Sequence, residues 1–350
     1  MPYFPPQLLQ CVCFLGYRDN ESIERVAGSA FWVCRHPVDE PLMLGERLTF
    51  AYLVTAAHVI DEIRKSSSDN RALVRVNTKE GGQEWIETYV GCWKTHPDNA
   101  VDIAVMKFGP GKQFDHICWM EHTFVGSKDI VKYRIELADE VYFPGLFWPH
   151  TGKRRNIPIV RVGNIACLRG EKVATAFGDA DAYLVEARSI GGLSGSPVFI
   201  DLFASRREPK KEKLDELMKT DREYLLRIRQ SPSSFRLLGV MHGHFRIPYG
   251  DTESHPDSVK ENEDEEREKL NMGIAIVIPA EKILEVITQF MAEEAEEIAQ
   301  YEKKKRSYAV PDSVPGARTQ TQKTAQGTEI PVPSTQQFFS DLEKASRRKE

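Results

Sequence analysis

Residues 53–60 read Leu53-Val54-Thr55-Ala56-Ala57-His58-Val59-Ile60, an apolar, β-branched run that ends in small residues and delivers a histidine at its tip. Small side chains beside the histidine let an imidazole sit close to a second domain. The run closes a longer strand-like stretch from Leu48 to Thr55, and similar stretches lie on either side of it. They are Cys11 to Leu15, Ala30 to Cys34, Leu73 to Val76, Trp85 to Gly91 and Asp102 to Phe108, separated by turn residues such as Gly81-Gly82 and His96-Pro97-Asp98-Asn99. A second series follows: Val131 to Ile135, Val141 to Phe143, Ile159 to Cys167, Ala182 to Glu186, Val198 to Phe203, Phe235 to Phe245 and Gly273 to Ile278. Short strands in two similar sets predict an all-β protein of two barrels, residues 1–120 and 121–280.

Two stretches of the second half break the pattern. Residues 205–230 open with Lys210-Lys211-Glu212-Lys213 and continue with Leu214, Leu217, Tyr224 and Leu225 at near-helical intervals, which predicts a charged, partly helical insertion. Residues 251–269 are rich in Glu, Asp, Ser and Asn and read as a solvated acidic loop. Pro279 then opens a helix, 281–305, whose apolar positions Ile283, Ile287, Phe290 and Ile298 keep one face for packing on the second barrel, with Lys303 to Arg306 at its carbonyl end. Residues 306–350 are rich in Pro, Gln, Thr and Ser and are expected to be a disordered tail, in which Phe338-Phe339-Ser340-Asp341-Leu342 could dock a protein partner.

Composition narrows the class of partner. The net charge of −5 over 350 residues is small and the basic residues are dispersed, which argues against nucleic acid. The start, Met1-Pro2-Tyr3-Phe4-Pro5-Pro6, has no basic leader, and the apolar run from Leu8 to Gly16 is broken by Gln10 and too short to span a bilayer, so neither a signal peptide nor a membrane span is expected. Six cysteines (Cys11, Cys13, Cys34, Cys92, Cys118, Cys167) form no C-x-x-C pair; free thiols in a reducing compartment, the cytoplasm, are the expectation.

Three motifs carry chemistry. Besides the stretch around His58, Asp102-Ile103-Ala104-Val105-Met106 places an acid at the head of an alternating apolar strand, where a buried carboxylate needs a donor such as an imidazole N–H. Gly191-Gly192-Leu193-Ser194-Gly195-Ser196-Pro197-Val198-Phe199 sets a serine in a tight glycine turn just before a strand, and glycines let backbone N–H groups converge as an oxyanion site requires. Alone, each has a bland reading as a structural histidine, a surface acid or a loop; together their order, His, Asp, Ser, is one known chain order of a hydrolytic triad.

On these residues the chain resembles the trypsin-like serine peptidases, and more their bacterial branch, including the HtrA type, than the secreted digestive enzymes. Thr55-Ala56-Ala57-His58 is similar to the family's T-A-A-H block, Asp102-Ile103-Ala104-Val105 to its acid motif, and Gly192-Leu193-Ser194-Gly195-Ser196-Pro197 to its nucleophile motif. Phe143-Pro144-Gly145 and Leu238-Gly239-Val240-Met241-His242-Gly243 resemble strands of the second barrel, and the likeness spans roughly residues 25–280. It departs at Ser196, where the family usually has Gly. The resemblance implies two six-stranded antiparallel barrels of the chymotrypsin kind and peptide-bond hydrolysis by His58, Asp102 and Ser194. It further implies an oxyanion hole of the Gly192 and Ser194 N–H groups, a polypeptide substrate, and no metal or cofactor. The roughly 70 residues after Pro279 are too few for the PDZ domain of the HtrA type with its linkers.

Arg188, His242, Gly243 and His244 are expected in the substrate cleft. Arg188 lies six residues before Ser194, where trypsin has the acid that selects basic side chains, so a preference for acidic or polar side chains is one reading. An ion pair outside the pocket is the other. His242 and His244 share a strand face, but no Cys or acid at ligand spacing supports zinc. An α/β-hydrolase would need G-x-S-x-G and the order Ser, acid, His. A non-catalytic scaffold on the same fold is the remaining alternative.

Overall fold

The computed structural model describes residues 4–36, 49–187, 192–202, 234–248, 269–308, 321–323 and 329–331. The chain is mostly β. Residues 1–294 form one compact unit and 295–350 another.

The first half is a sheet built from β1 (Val12–Arg18), β2 (Glu24–Arg35), β3 (Phe50–Thr55), β4 (Arg71–Asn77), β5 (Gln83–Tyr89), β6 (Lys94–Thr95), β7 (Ala104–Lys107) and β8 (Trp119–Met120). Its order is β5-β4-β1-β2-β3-β7-β6, with β8 alongside β2. The expected first closed barrel is therefore corrected to a sheet whose ladder does not close. The edge strands β5 and β6 are consecutive in sequence, and between them the chain makes a 3-10 turn at Val90–Cys92 that leaves the strand path. Val90 and Trp93 are buried there and belong to the same core as Trp32, Leu53, Val74 and Met106. The expectation of purely antiparallel strands is also corrected, because β8 pairs with β2 in parallel.

The second half does close. β9 (Glu140–Gly145), β10 (Ile159–Cys167), β13 (Tyr183–Glu186), β14 (Pro197–Asp201), β15 (Phe235–Pro248) and β16 (Lys269–Pro279) form a barrel in the order β10-β13-β16-β15-β14-β9. Phe143, Tyr183, Val185, Val198, Leu238 and Val277 fill it. A two-stranded hairpin, β11 (Val173–Thr175) and β12 (Gly178–Ala180), stands apart from the barrel ladder. Val131 to Ile135, expected as a strand, falls mainly in helix α2 (Ser127–Tyr133). The Asp129 carboxylate accepts the Gly126 N–H at 3.0 Å and starts the helix, and Val131 points to solvent. The signal for α2 is this cap, which an apolar-run reading overlooks.

After β16, whose last residue is Pro279, the chain forms α3 (Glu281–Ile287), a 3-10 turn (Thr288–Phe290) and α4 (Met291–Tyr308). Ile283, Val286, Ile287 and Phe290 are buried. α3 packs on β16, as expected, and on β7 of the first sheet as well. Residues Thr321–Lys323 and Glu329–Pro331 pair as a short hairpin within the segment expected to be a disordered tail. The insertion 205–230, the acidic loop up to residue 268, Arg188 and the Phe338 to Leu342 segment lie outside the described residues.

Candidate active site

His58 sits in the first turn of α1 (Ala57–Ser66), not on a strand tip; β3 ends at Thr55 and the helix buries Val59, Ile60 and Ile63. The residue before this helix is Ala56, which has no side-chain cap to offer. Asp102, two residues ahead of β7 and only 3% exposed, fills that role from another element: its Oδ1 accepts the His58 backbone N–H at 2.9 Å. Its Oδ2 accepts from His58 Nδ1 at 2.6 Å and from His242 Nδ1 at 2.5 Å. A carboxylate so buried tolerates its charge through these three donors.

The electrostatics follow from the same contacts. Burial opposes ionisation of Asp102, but the hydrogen bonds from His242 and His58 together outweigh it and hold the carboxyl well below the usual carboxylate range. For His58, burial alone would lower the imidazole; the hydrogen bond and charge of Asp102 overcome it, aided by Glu62 and Asp61, and the net shift is upward. With Nδ1–H donated to Asp102, the lone pair of neutral His58 lies on Nε2.

Ser194 is half-buried in the loop before β14. Its Oγ donates to the His242 carbonyl at 3.2 Å, so β15 holds both the hydroxyl and, through the His242 side chain, the carboxylate. Gly192 and Gly195 adopt φ of +103° and +79°. A Cβ on Gly195 would stand 2.2 Å from Thr55 Oγ1 and 2.3 Å from the Ser29 carbonyl, so only glycine fits. Among the described residues the Gly192 and Ser194 N–H groups have no backbone acceptor.

Ser29, fully buried in β2, ties this loop to the first sheet. Its Oγ donates to the Gly192 carbonyl at 3.1 Å and accepts the Leu146 N–H at 2.8 Å, while its own N–H donates to the Ser194 carbonyl at 3.1 Å. Ser196, the departure from the family pattern, fits because Gly145 faces it: a Cβ there would lie 1.9 Å from Ser196 Oγ.

Of the residues expected at the site, His58 and Asp102 are in direct contact, and Ser194 joins them through His242. His242, expected in the cleft, has its Nδ1 on Asp102 and its ring edge-on to those of His58 and Phe177. Among the described residues nothing lies within 4 Å of a Cβ placed on Gly243, and His244 is half-buried. The part played by Ser29, inside the apolar stretch around Ala30, had no sequence signal, nor did that of Phe177, whose ring stacks on His58.

His58, Asp102 and His242 are the group of possible metal ligands whose donor atoms converge among the described residues, all within 4.8 Å. The Asp102 oxygen lies at hydrogen-bond distance from both nitrogens, whereas two ligands of a tetrahedral zinc stand about 3.3 Å apart. A zinc ion would have to spread the cluster.

Together these features define a mostly β protein in which a closed barrel and a sheet bring a His–Asp–His cluster, buried except for the half-buried His58, beside a serine in a glycine turn. No family model matches the chain, and no curated protein sequence matches it. Solved structures similar to it include the apo MamO protease domain from Magnetospirillum magneticum, 12% identical with a TM-score of 0.43, covering 80% of this chain and 97% of that one. The Rv3671c protease in its inactive form is 15% identical with a TM-score of 0.39, covering 81% and 92%.

Proposed function

We propose that the chain is a serine endopeptidase of the trypsin-like type that hydrolyses peptide bonds of a polypeptide substrate, with His58, Asp102 and Ser194 as its triad. The observation that carries this is the doubly bonded His58–Asp102 pair, which fixes the tautomer a general base needs. Ser194 Oγ attacks the scissile carbonyl as His58 Nε2 takes its proton; the Gly192 and Ser194 N–H groups receive the oxyanion; the proton passes to the leaving amine as the C–N bond breaks. Water then repeats the sequence and releases the acid. Gly243, His244 and Arg188 are assigned to the cleft, and residues 1–120 and 121–280 to the two halves that frame it. Six free cysteines favour a reducing compartment such as the cytoplasm, and among the described residues no helix is long and apolar enough to cross a membrane.

A second reading, a non-catalytic scaffold, has one observation in its favour: the Ser194 hydroxyl is bonded to the His242 carbonyl and not to His58. A catalytic hydrogen bond of this kind often forms only with substrate present. A fluorophosphonate probe decides between them. Labelling that maps to Ser194 and vanishes in both Ser194→Ala and His58→Ala is expected; a folded protein that never labels would establish the scaffold.

A further inference from the structure

We propose that Phe177 is a specificity-determining residue: its ring occupies the space over His58, so that the protein cleaves polypeptides with a small residue just before the one whose carbonyl is attacked. This rests on the serine-peptidase reading above.

Phe177 lies in the two-residue turn between β11 and β12. Its ring is stacked on His58 (centroids 6.0 Å apart, planes at 16°) and meets His242 edge-on (5.5 Å, 82°). The two imidazoles are themselves 5.7 Å apart, so the three rings form one cluster. An aromatic ring 44% exposed beside the proposed base is a surface that substrate must meet.

The hairpin is built to hold that ring in place. At the tip, Thr175 Oγ1 donates to the Gly178 carbonyl at 2.8 Å and accepts the Phe177 N–H at 3.1 Å. At the base, Arg169 before β11 and Asp181 after β12 form a two-pronged ion pair, one bond of which is 2.9 Å, and Arg169 continues to Glu281 of α3 at 2.6 Å. Gly178 comes close to the first sheet's loop, where a Cβ on it would be 3.4 Å from Ala100 Cβ. The hairpin thus reaches from the second barrel to the segment that carries Asp102.

Side chains of an extended peptide alternate between opposite sides. In the pose we assign, the scissile carbonyl lies on Ser194 Oγ, the substrate backbone runs beside β15 at Gly243, where no described atom would meet a Cβ, and the residue bearing that carbonyl turns its side chain toward the barrel. The residue before it turns toward α1, where His58 is covered by Phe177. A large side chain there meets that ring, whose backbone the clamp and the turn hold against His58.

The test compares wild type, Phe177→Ala and Phe177→Leu on a peptide series varied only at that residue, with fluorophosphonate labelling run in parallel. Because Phe177 is outside the two cores, circular dichroism should be unchanged. Wild type should favour Gly or Ala over Leu or Phe by about tenfold or more in kcat/KM, and Phe177→Ala should erase most of that ratio, with Phe177→Leu between. An unchanged ratio in an active, labelled Phe177→Ala protein overturns the proposal. So does an equal gain on every peptide together with faster labelling, which would make the hairpin a lid. Failure of wild type to label or cleave overturns the peptidase reading itself, and this inference with it.

Discussion

At Asp102 one carboxylate serves three donors, and that fixes what the imidazole of His58 can do. A base works only when neutral, so a His58 pKa above the ordinary value of about 6.5 moves the acid limb of activity upward. The sign is fixed by the dominant opposing influences: burial favours the neutral ring, the Asp102 contacts favour the charged one, and the latter win. Activity should therefore be half-maximal at a pH above about 6.5 and fall as pH drops through the raised value. In Asp102→Asn the amide has one acceptor where two Nδ1–H groups and a backbone N–H point, so His58 loses both its charge partner and its tautomer. Probe labelling should slow by about 10⁴-fold, the scale seen when that tautomer is lost elsewhere. A pH–rate profile of wild type with its limb below 6.5, or an Asp102→Asn protein that labels near the normal rate, would contradict this account. His58 and Asp102 were legible in sequence because each sits beside a local pattern. His242 was not, because its contact depends on β15 being threaded past the loop of Asp102.

Elements, more than single residues, set the geometry of the loop around Ser194. β2 reaches it through Ser29, whose loss would leave the buried Leu146 N–H and Gly192 carbonyl without partners. Ser29→Ala should cost about 1–3 kcal/mol in stability. It should also free the Gly192 peptide, whose N–H is assigned to the oxyanion, so kcat should drop more than KM rises; denaturant unfolding and steady-state kinetics measure the two separately. A variant that loses stability yet keeps kcat would confine Ser29 to holding the fold. The strands of the barrel were readable from β-branched runs, Ile159–Cys167 among them. The open first sheet was not, because Trp85 to Gly91 gives no hint that the chain leaves the ladder at Val90. Helix α1 was hidden for a related reason: the apolar Val59, Ile60 and Ile63 continue the run of β3, and the residue that starts the helix, Asp102, lies 44 positions away.

Across the whole of residues 1–294, the two halves are joined on both sides of the site. α3 follows the barrel yet bonds to the first sheet, with Glu285 on His96 Nε2 at 2.9 Å, and the adjoining Gln289 Nε2 donates to the Thr95 carbonyl at 2.9 Å. These contacts steady the segment that leads to Asp102. On the other side, among the described residues, the loop around Ser194 is held by packing and backbone hydrogen bonds, with no ion pair. Leu193 is 2% exposed within the barrel core, Gly195 N–H donates to the Met241 carbonyl at 2.9 Å, and Ser196 takes part in two more backbone bonds, to Leu193 and Met241. Secreted trypsin-like enzymes place an Asp at the Leu193 position and order the loop by pairing it with an N-terminal ammonium freed by proteolysis. Among the described residues the groups that order the loop, Leu193, Met241 and Ser196, are in place without any cleavage, so the intact chain should react with a fluorophosphonate without prior processing. Leu193→Ala, which leaves a cavity in the barrel core beside Gly145, should cost about 2–5 kcal/mol and slow labelling more than Val185→Ala, a substitution of similar kind elsewhere in the same core. Intact mass and labelling rate, measured on one sample, provide the check. A chain of full mass that stays inert until its N-terminal segment is removed would show that a freed ammonium, and not Leu193, sets the loop.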